Sequence, residues 1–114
     1  MRIPFTGVGT ALITPFKHDG SVDASAVSRL ARRQMDAGVH ILVPCGTTGE
    51  APTLSVDEKR QVIELVAAEA NGRALVLAGA GGYNTKEVIH MAGVAKEAGA
   101  DGLLSVTPYY NKPT

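Results

Sequence analysis

The chain has 114 residues, of which 45% are hydrophobic, enough for one small globular domain. Eleven basic and eleven acidic residues give a formal net charge of zero, and Trp is absent, so nothing favours a nucleic-acid-binding surface. No apolar run approaches the ~20 residues of a membrane-spanning helix. The start lacks a signal-peptide pattern, and the single Cys45 excludes an internal disulfide, so we expect a cytoplasmic protein.

Strand and helix patterns alternate in the first half of the chain. A strand is predicted from Gly7 to Thr14, and a helix begins near Asp23 or Ser25 and ends at Gly38. The next strand, Val39 to Cys45, is continuously apolar, as expected for a strand covered on both faces. The apolar stripe predicted for the helix consists of Val27, Leu30, Ala31 and Met35.

The same alternation continues in the second half. Ser55 followed by Glu58 predicts a capping box at the start of a helix over 55–71. A strand over 74–78, a helix over 84–99 and a strand over 102–106 follow. Strands thus begin about every thirty residues with no hairpin signal between them, which predicts an α/β protein with a parallel sheet.

The segment Gly-Thr-Thr-Gly-Glu at 46–50 directly follows the second strand. Its glycines allow a sharp turn that leaves backbone N–H groups open, and its two adjacent hydroxyls add donors. Together they suit a small carboxylate at the carboxyl end of a parallel strand. From the pattern alone, a tight strand-to-helix loop with a threonine cap remains an equal alternative.

Three segments carry a resemblance to a known family. They are Gly-Thr-Thr-Gly-Glu at 46–50, Thr-Pro-Tyr-Tyr-Asn-Lys-Pro at 107–113 and Gly-Val-Gly-Thr-Ala-Leu-Ile-Thr-Pro-Phe at 7–16. They resemble the pyruvate-dependent class I aldolases, the family of dihydrodipicolinate synthases and N-acetylneuraminate lyases. The resemblance implies a parallel (β/α)8 TIM barrel, of which residues 1–114 supply about the first four strands and three helices. Such a barrel typically needs ~250 residues, so we expect the chain to be the N-terminal half of one incomplete domain.

The resemblance also implies roles for individual residues. Thr48, with Thr47 and nearby N–H groups, would hold the carboxylate of pyruvate. Thr47 would also act in a proton relay, which Tyr110 completes by reaching into a neighbouring subunit of a homotetramer built as a dimer of dimers. Tyr109 would lie at the subunit interface. Without the resemblance, two tyrosines packed at a strand end are the simpler interpretation of that pair.

The nucleophile implied by the family is a lysine that forms a Schiff base with pyruvate, and we expect it beyond Thr114. The five lysines present fall in predicted helices and loops, and we interpret them as solvated charges. The implied reaction joins pyruvate to L-aspartate 4-semialdehyde and forms 4-hydroxy-tetrahydrodipicolinate in lysine biosynthesis, with no cofactor and no metal. The threonine pair favours this synthase branch over a sister aldolase that acts on a sugar acid. A non-catalytic half-barrel is the third alternative.

In the family, many synthases bind lysine as an inhibitor at a subunit interface. The matching positions here include Glu87, Tyr109 and Lys59. Lys59 would repel the ammonium groups of lysine, so we expect weak or absent feedback inhibition.

Overall fold

Strands and helices alternate along residues 5–110, the part of the chain that the computed structural model describes. The four strands form one parallel sheet in the order β1-β2-β3-β4, as predicted. A short 3-10 helix follows the second strand. The elements are β1 (Gly9–Ala11), α1 (Ala24–Asp36), β2 (Ile41–Val43), the 3-10 helix (Ala51–Thr53), α2 (Val56–Ala70), β3 (Leu75–Gly79), α3 (Thr85–Glu97) and β4 (Gly102–Leu104).

Local signals place the helix ends. The Asp23 carboxylate accepts the N–H of Ala26 at 3.2 Å and caps α1. The predicted capping box of α2 is confirmed, because Ser55 accepts the N–H of Glu58 at 3.1 Å and the Glu58 carboxylate accepts the N–H of Ser55 at 2.9 Å. Asn71, in the left-handed conformation, ends α2. These caps satisfy backbone groups that would otherwise lack partners at the helix ends.

Three of the strands are shorter than predicted. The first strand was predicted to run to Thr14, but its pairing with β2 ends soon after Ala11. The second was predicted to run to Cys45, yet Cys45 has a φ of 59° and turns the chain out of the sheet. The fourth ends at Leu104, because its partner β3 ends at Gly79. Within the described part of the chain, the predicted strand residues beyond these points have no paired strand beside them and so do not continue the sheet.

The core lies between the sheet and the helices. Leu42 of β2 and Val76 of β3 are paired and nearly inaccessible, and they lie in one cluster with Ala31 of α1 and with Ile63 and Val66 of α2. The register brings the carboxyl ends of all four strands to one edge of the sheet. The loops that follow those ends are where parallel α/β folds place their sites.

Apolar side chains remain exposed at both outer strands of the sheet. Ile13, just after β1, is 57% exposed, and Leu103 and Leu104 of β4 are 43% and 48% exposed. Each outer strand pairs with only one neighbour within the described residues. The helices of residues 5–110 are also too short or too polar to cross a lipid bilayer.

Candidate functional site

The predicted glycine and threonine segment forms a tight turn at the carboxyl end of β2. The N–H of Gly49 donates to the carbonyl of Gly46 at 3.1 Å, and the N–H of Glu50 donates to the carbonyl of Thr47 at 2.9 Å. No hydrogen bond found within residues 5–110 uses the N–H of Thr47 or Thr48, and both residues are exposed. The turn therefore presents two consecutive free N–H groups and two hydroxyls, an arrangement that suits an anion.

Hydrogen bonds hold the turn to the segment that follows β1, and the segment before the turn to β3. The buried Thr14 hydroxyl donates to the carbonyl of Gly49 at 2.7 Å. On the other side, the N–H of Gly79 donates to the carbonyl of Pro44 at 2.9 Å. A Cβ added at Gly79 would lie 2.5 Å from the carbonyl carbon of Cys45, so only glycine allows β3 to approach the start of the turn this closely.

The two tyrosines follow β4 but do not reach the threonines within the described residues. Tyr110 has a φ of 69° and its side chain is fully exposed. Tyr109 instead packs edge-on against Tyr83, with ring centroids 5.5 Å apart and an interplanar angle of 77°. Within residues 5–110 no hydrogen bond links Tyr109 or Tyr110 to Thr47, so these residues alone do not assemble a relay. Asn111, Lys112 and Pro113 of the predicted motif lie outside the described residues.

Sequence reasoning missed Tyr83. It follows the glycines of the β3–α3 loop, and its partner Tyr109 is 26 residues away. An aromatic residue in a glycine-rich loop was the one available signal, but the contact itself has no local signature.

The residues predicted to form a regulatory site lie on separate elements. Lys59 is half-buried in α2, Glu87 is exposed in the first turn of α3, and Tyr109 follows β4. No ion pair or hydrogen bond joins these three residues to one another in the described part of the chain.

The environment of Cys45 is that of an inert buried thiol. Burial raises the pKa of Cys45 to about 11, against a lesser opposing effect from the charge of Lys59. Its Sγ lies 3.8 Å from the backbone oxygen of Lys59. A thiol that stays protonated at neutral pH is a poor nucleophile, so Cys45 serves as a small buried residue at the start of the turn.

The described residues contain neither a candidate Schiff-base lysine nor a candidate metal site. Lys17, Lys59, Lys86 and Lys96 lie in loops or helices, and none is buried at the carboxyl end of a strand. No group of three metal-ligating side chains occurs between residues 5 and 110.

The parallel βα arrangement, with a tight turn of glycines and threonines at a strand end, is that of an arc of a TIM barrel. The chain belongs to the dihydrodipicolinate synthetase family, whose model matches residues 4–114. It is 57% identical over 113 residues to the 4-hydroxy-tetrahydrodipicolinate synthase of Nitrobacter hamburgensis, an alignment that covers 99% of this chain and 38% of that protein.

Solved structures agree with this assignment. The dihydrodipicolinate synthase of Aquifex aeolicus matches with a TM-score of 0.91 and 51% identity, over 96% of this chain and 37% of that one. The Acinetobacter baumannii synthase, complexed with pyruvate, matches with a TM-score of 0.93 and 43% identity, over 97% and 38% of the two chains. The prediction of a TIM-barrel arc is thereby confirmed, and the chain spans about two fifths of the length of these relatives.

Proposed function

We propose that these residues form the N-terminal part of a 4-hydroxy-tetrahydrodipicolinate synthase, a cytoplasmic lyase of lysine biosynthesis. The observation that carries the proposal is the turn at 46–50, with its two free N–H groups beside two exposed hydroxyls. That donor set matches the carboxylate of pyruvate. Family membership and the pyruvate complex of the Acinetobacter baumannii relative support the same ligand. The full-length protein that contains this N-terminal part is called the complete barrel below.

The proposed reaction begins with a lysine of the complete barrel outside residues 1–114. Its neutral amine attacks the ketone of pyruvate, water leaves, and the resulting imine loses a methyl proton to give an enamine. The enamine carbon then attacks the aldehyde carbon of L-aspartate 4-semialdehyde. A new carbon–carbon bond forms. The amino group of the aspartate semialdehyde unit then attacks the imine carbon and displaces the lysine, which closes the ring of 4-hydroxy-tetrahydrodipicolinate.

The threonines take different parts in this sequence. Thr48, together with the free N–H groups, holds the carboxylate and so places the ketone before the lysine. The hydroxyl of Thr47 also contacts the carboxylate and passes protons. Each hydroxyl both donates and accepts a hydrogen bond, so a chain of hydroxyls moves a proton without leaving an isolated buried charge.

The relay is completed between subunits. Tyr110 is fully exposed at the end of the described chain, where it is free to enter the site of a neighbouring subunit. Tyr109, held by Tyr83, lies at the same proposed interface. We place both tyrosines at the contact between two subunits of a homotetramer.

Borohydride trapping tests the proposed function. The complete barrel is incubated with pyruvate, reduced with borohydride, digested and mapped by mass spectrometry. We expect a reduced pyruvate adduct on one lysine outside residues 1–114. An adduct on any of the five lysines of this chain, or no adduct at all, contradicts the proposal. Parallel incubations of pyruvate with aspartate semialdehyde and with N-acetylmannosamine show which acceptor is condensed with pyruvate. That result separates a synthase from a sugar-acid aldolase.

A further inference from the structure

Thr14 is the one polar residue among residues 5–110 that is buried as a whole, with 4% of its surface exposed. A hydroxyl buried without a partner is unfavourable, so a buried threonine needs a hydrogen bond where valine would need none. Its hydroxyl donates to the carbonyl of Gly49, which lies 35 residues later in the turn that carries Thr47 and Thr48. The bond length of 2.7 Å is typical of a well-formed hydrogen bond from a hydroxyl to an oxygen acceptor.

This bond lies just beyond the point where the backbone hydrogen bonds between β1 and β2 end. The N–H of Leu12 donates to the carbonyl of Val43, which is the last β1–β2 backbone bond. Beyond it, Cys45 turns away from β1 with its positive φ. The side chain of Thr14 then hydrogen-bonds to the turn, to which the backbone beyond Leu12 makes no further hydrogen bond within the described residues.

The carbonyl of Gly49 has no other hydrogen-bond donor within the described residues. The space around Gly49 is also closed, because an added Cβ would lie 3.1 Å from the Leu12 oxygen and 3.2 Å from the Thr14 hydroxyl oxygen. One hydrogen bond and close packing therefore fix the orientation of the peptide between Gly49 and Glu50. The N–H of that peptide donates to the carbonyl of Thr47, which shares a peptide with the free N–H of Thr48, so a change in its orientation would also move that free N–H.

We propose that Thr14 is a positioning residue, which fixes the turn at 46–50 so that its free N–H groups hold the substrate carboxylate. This inference rests on the proposed function, since the carboxylate is that of pyruvate. Thr14 does not contact the reacting atoms, and its effect passes through the carbonyl of Gly49.

The test compares Thr14→Val with a matched control, Thr53→Val, in the complete barrel. Both variants exchange a hydroxyl for a methyl, and both hydroxyls donate to carbonyls of the same loop. Thr53, however, is exposed and donates to Glu50 at 2.8 Å, where water can take its place. We expect Thr14→Val to raise the pyruvate KM roughly tenfold with a much smaller change in kcat, since ground-state binding is lost. Thr53→Val should leave KM within about twofold of wild type.

Two further variants keep the test decisive even if Thr14→Val does not fold. Thr14→Ser keeps the hydroxyl and should restore the wild-type KM, whereas Gly49→Ala keeps the bond but presses a methyl against Thr14 and should raise KM. An unchanged KM in Thr14→Val, or in Gly49→Ala if the valine variant does not fold, overturns the inference. A purely structural role would lower the amount of active protein but leave KM unchanged.

Hydrogen exchange separates this inference from the proposed function. We expect the amides of residues 46–51 to exchange faster in Thr14→Val than in Thr53→Val, with or without pyruvate. If wild type forms no pyruvate adduct, the proposed function fails. Exchange rates then still decide whether Thr14 fixes the turn, and equal rates in the two variants overturn that claim.

Discussion

Replacing Gly79 by alanine should separate β3 from the start of the turn at 46–50. The new Cβ would lie 2.5 Å from the carbonyl carbon of Cys45 and 2.9 Å from the nitrogen of Gly46, and closer still to the Cys45 oxygen. Carbon atoms in contact normally lie about 3.5 Å apart, so the two segments must separate by about 1 Å. Because all three opposing atoms belong to the backbone, no side-chain rotation relieves the clash.

The expected magnitude follows from this geometry. Overpacking in a close-packed interior costs about 1–3 kcal/mol, and a backbone clash belongs at the upper end, near 3 kcal/mol. For a protein of the size of the complete barrel, that loss lowers Tm by roughly 6–12 °C. A displacement of about 1 Å at the turn should also weaken productive pyruvate binding by up to about 10²-fold.

Thermal denaturation and pyruvate titration of the complete barrel measure both effects. Gly93→Ala is the matched control, because Gly93 lies inside α3 and an added Cβ meets no atom within 4 Å. That control should raise stability by about 0.5–1 kcal/mol through the higher helix propensity of alanine. A Gly79→Ala variant with wild-type Tm and wild-type pyruvate affinity would refute the steric reasoning.

Three further predictions concern individual side chains of the complete barrel. Thr47→Val should lower kcat by about 10²–10⁴-fold through loss of the relay, whereas Thr48→Val should mainly raise the pyruvate KM. Steady-state kinetics that show equal effects on both parameters in both variants would contradict this division. In the folded protein the pKa of Cys45 is about 11, against an ordinary pKa of 9.0 in the unfolded chain. The stabilisation that comes from this difference is fully present below pH 9 and is lost as the pH rises toward 11. The free energy of unfolding should therefore fall by about 2 kcal/mol more in wild type than in Cys45→Ala between pH 9 and 11, and parallel curves in urea titrations would show the thiol to be accessible. Lysine should inhibit weakly because Lys59 repels it, and Lys59→Ala should increase the inhibition; half-inhibition of wild type in initial-rate assays below about 1 mM would refute the repulsion argument.

The features that could be predicted from the sequence are those with local causes. Ser55 and Glu58 lie three residues apart, so their capping box is visible in the sequence and is confirmed. The position of the turn at 46–50 follows equally from an apolar run and two glycines.

The features that could not be predicted depend on contacts between distant segments. The bond from Thr14 to Gly49 exists because β1 and β2 are paired, and nothing near Thr14 in the sequence indicates a partner 35 residues away. The edge contact between Tyr83 and Tyr109 depends in the same way on the pairing of β3 with β4. The end of the second strand was misplaced because apolar character continues into Cys45, whereas its positive φ is set by the turn that follows.

The consecutive strand order has a consequence for synthesis on the ribosome. Since β1, β2, β3 and β4 lie side by side in the order in which they are translated, each new strand finds its partner already made. Pairing consecutive strands costs less loop entropy than pairing strands that lie further apart in the sequence would. The sheet can therefore grow one βα unit at a time as the nascent chain emerges, with the exposed leucines of β4 as the growing edge.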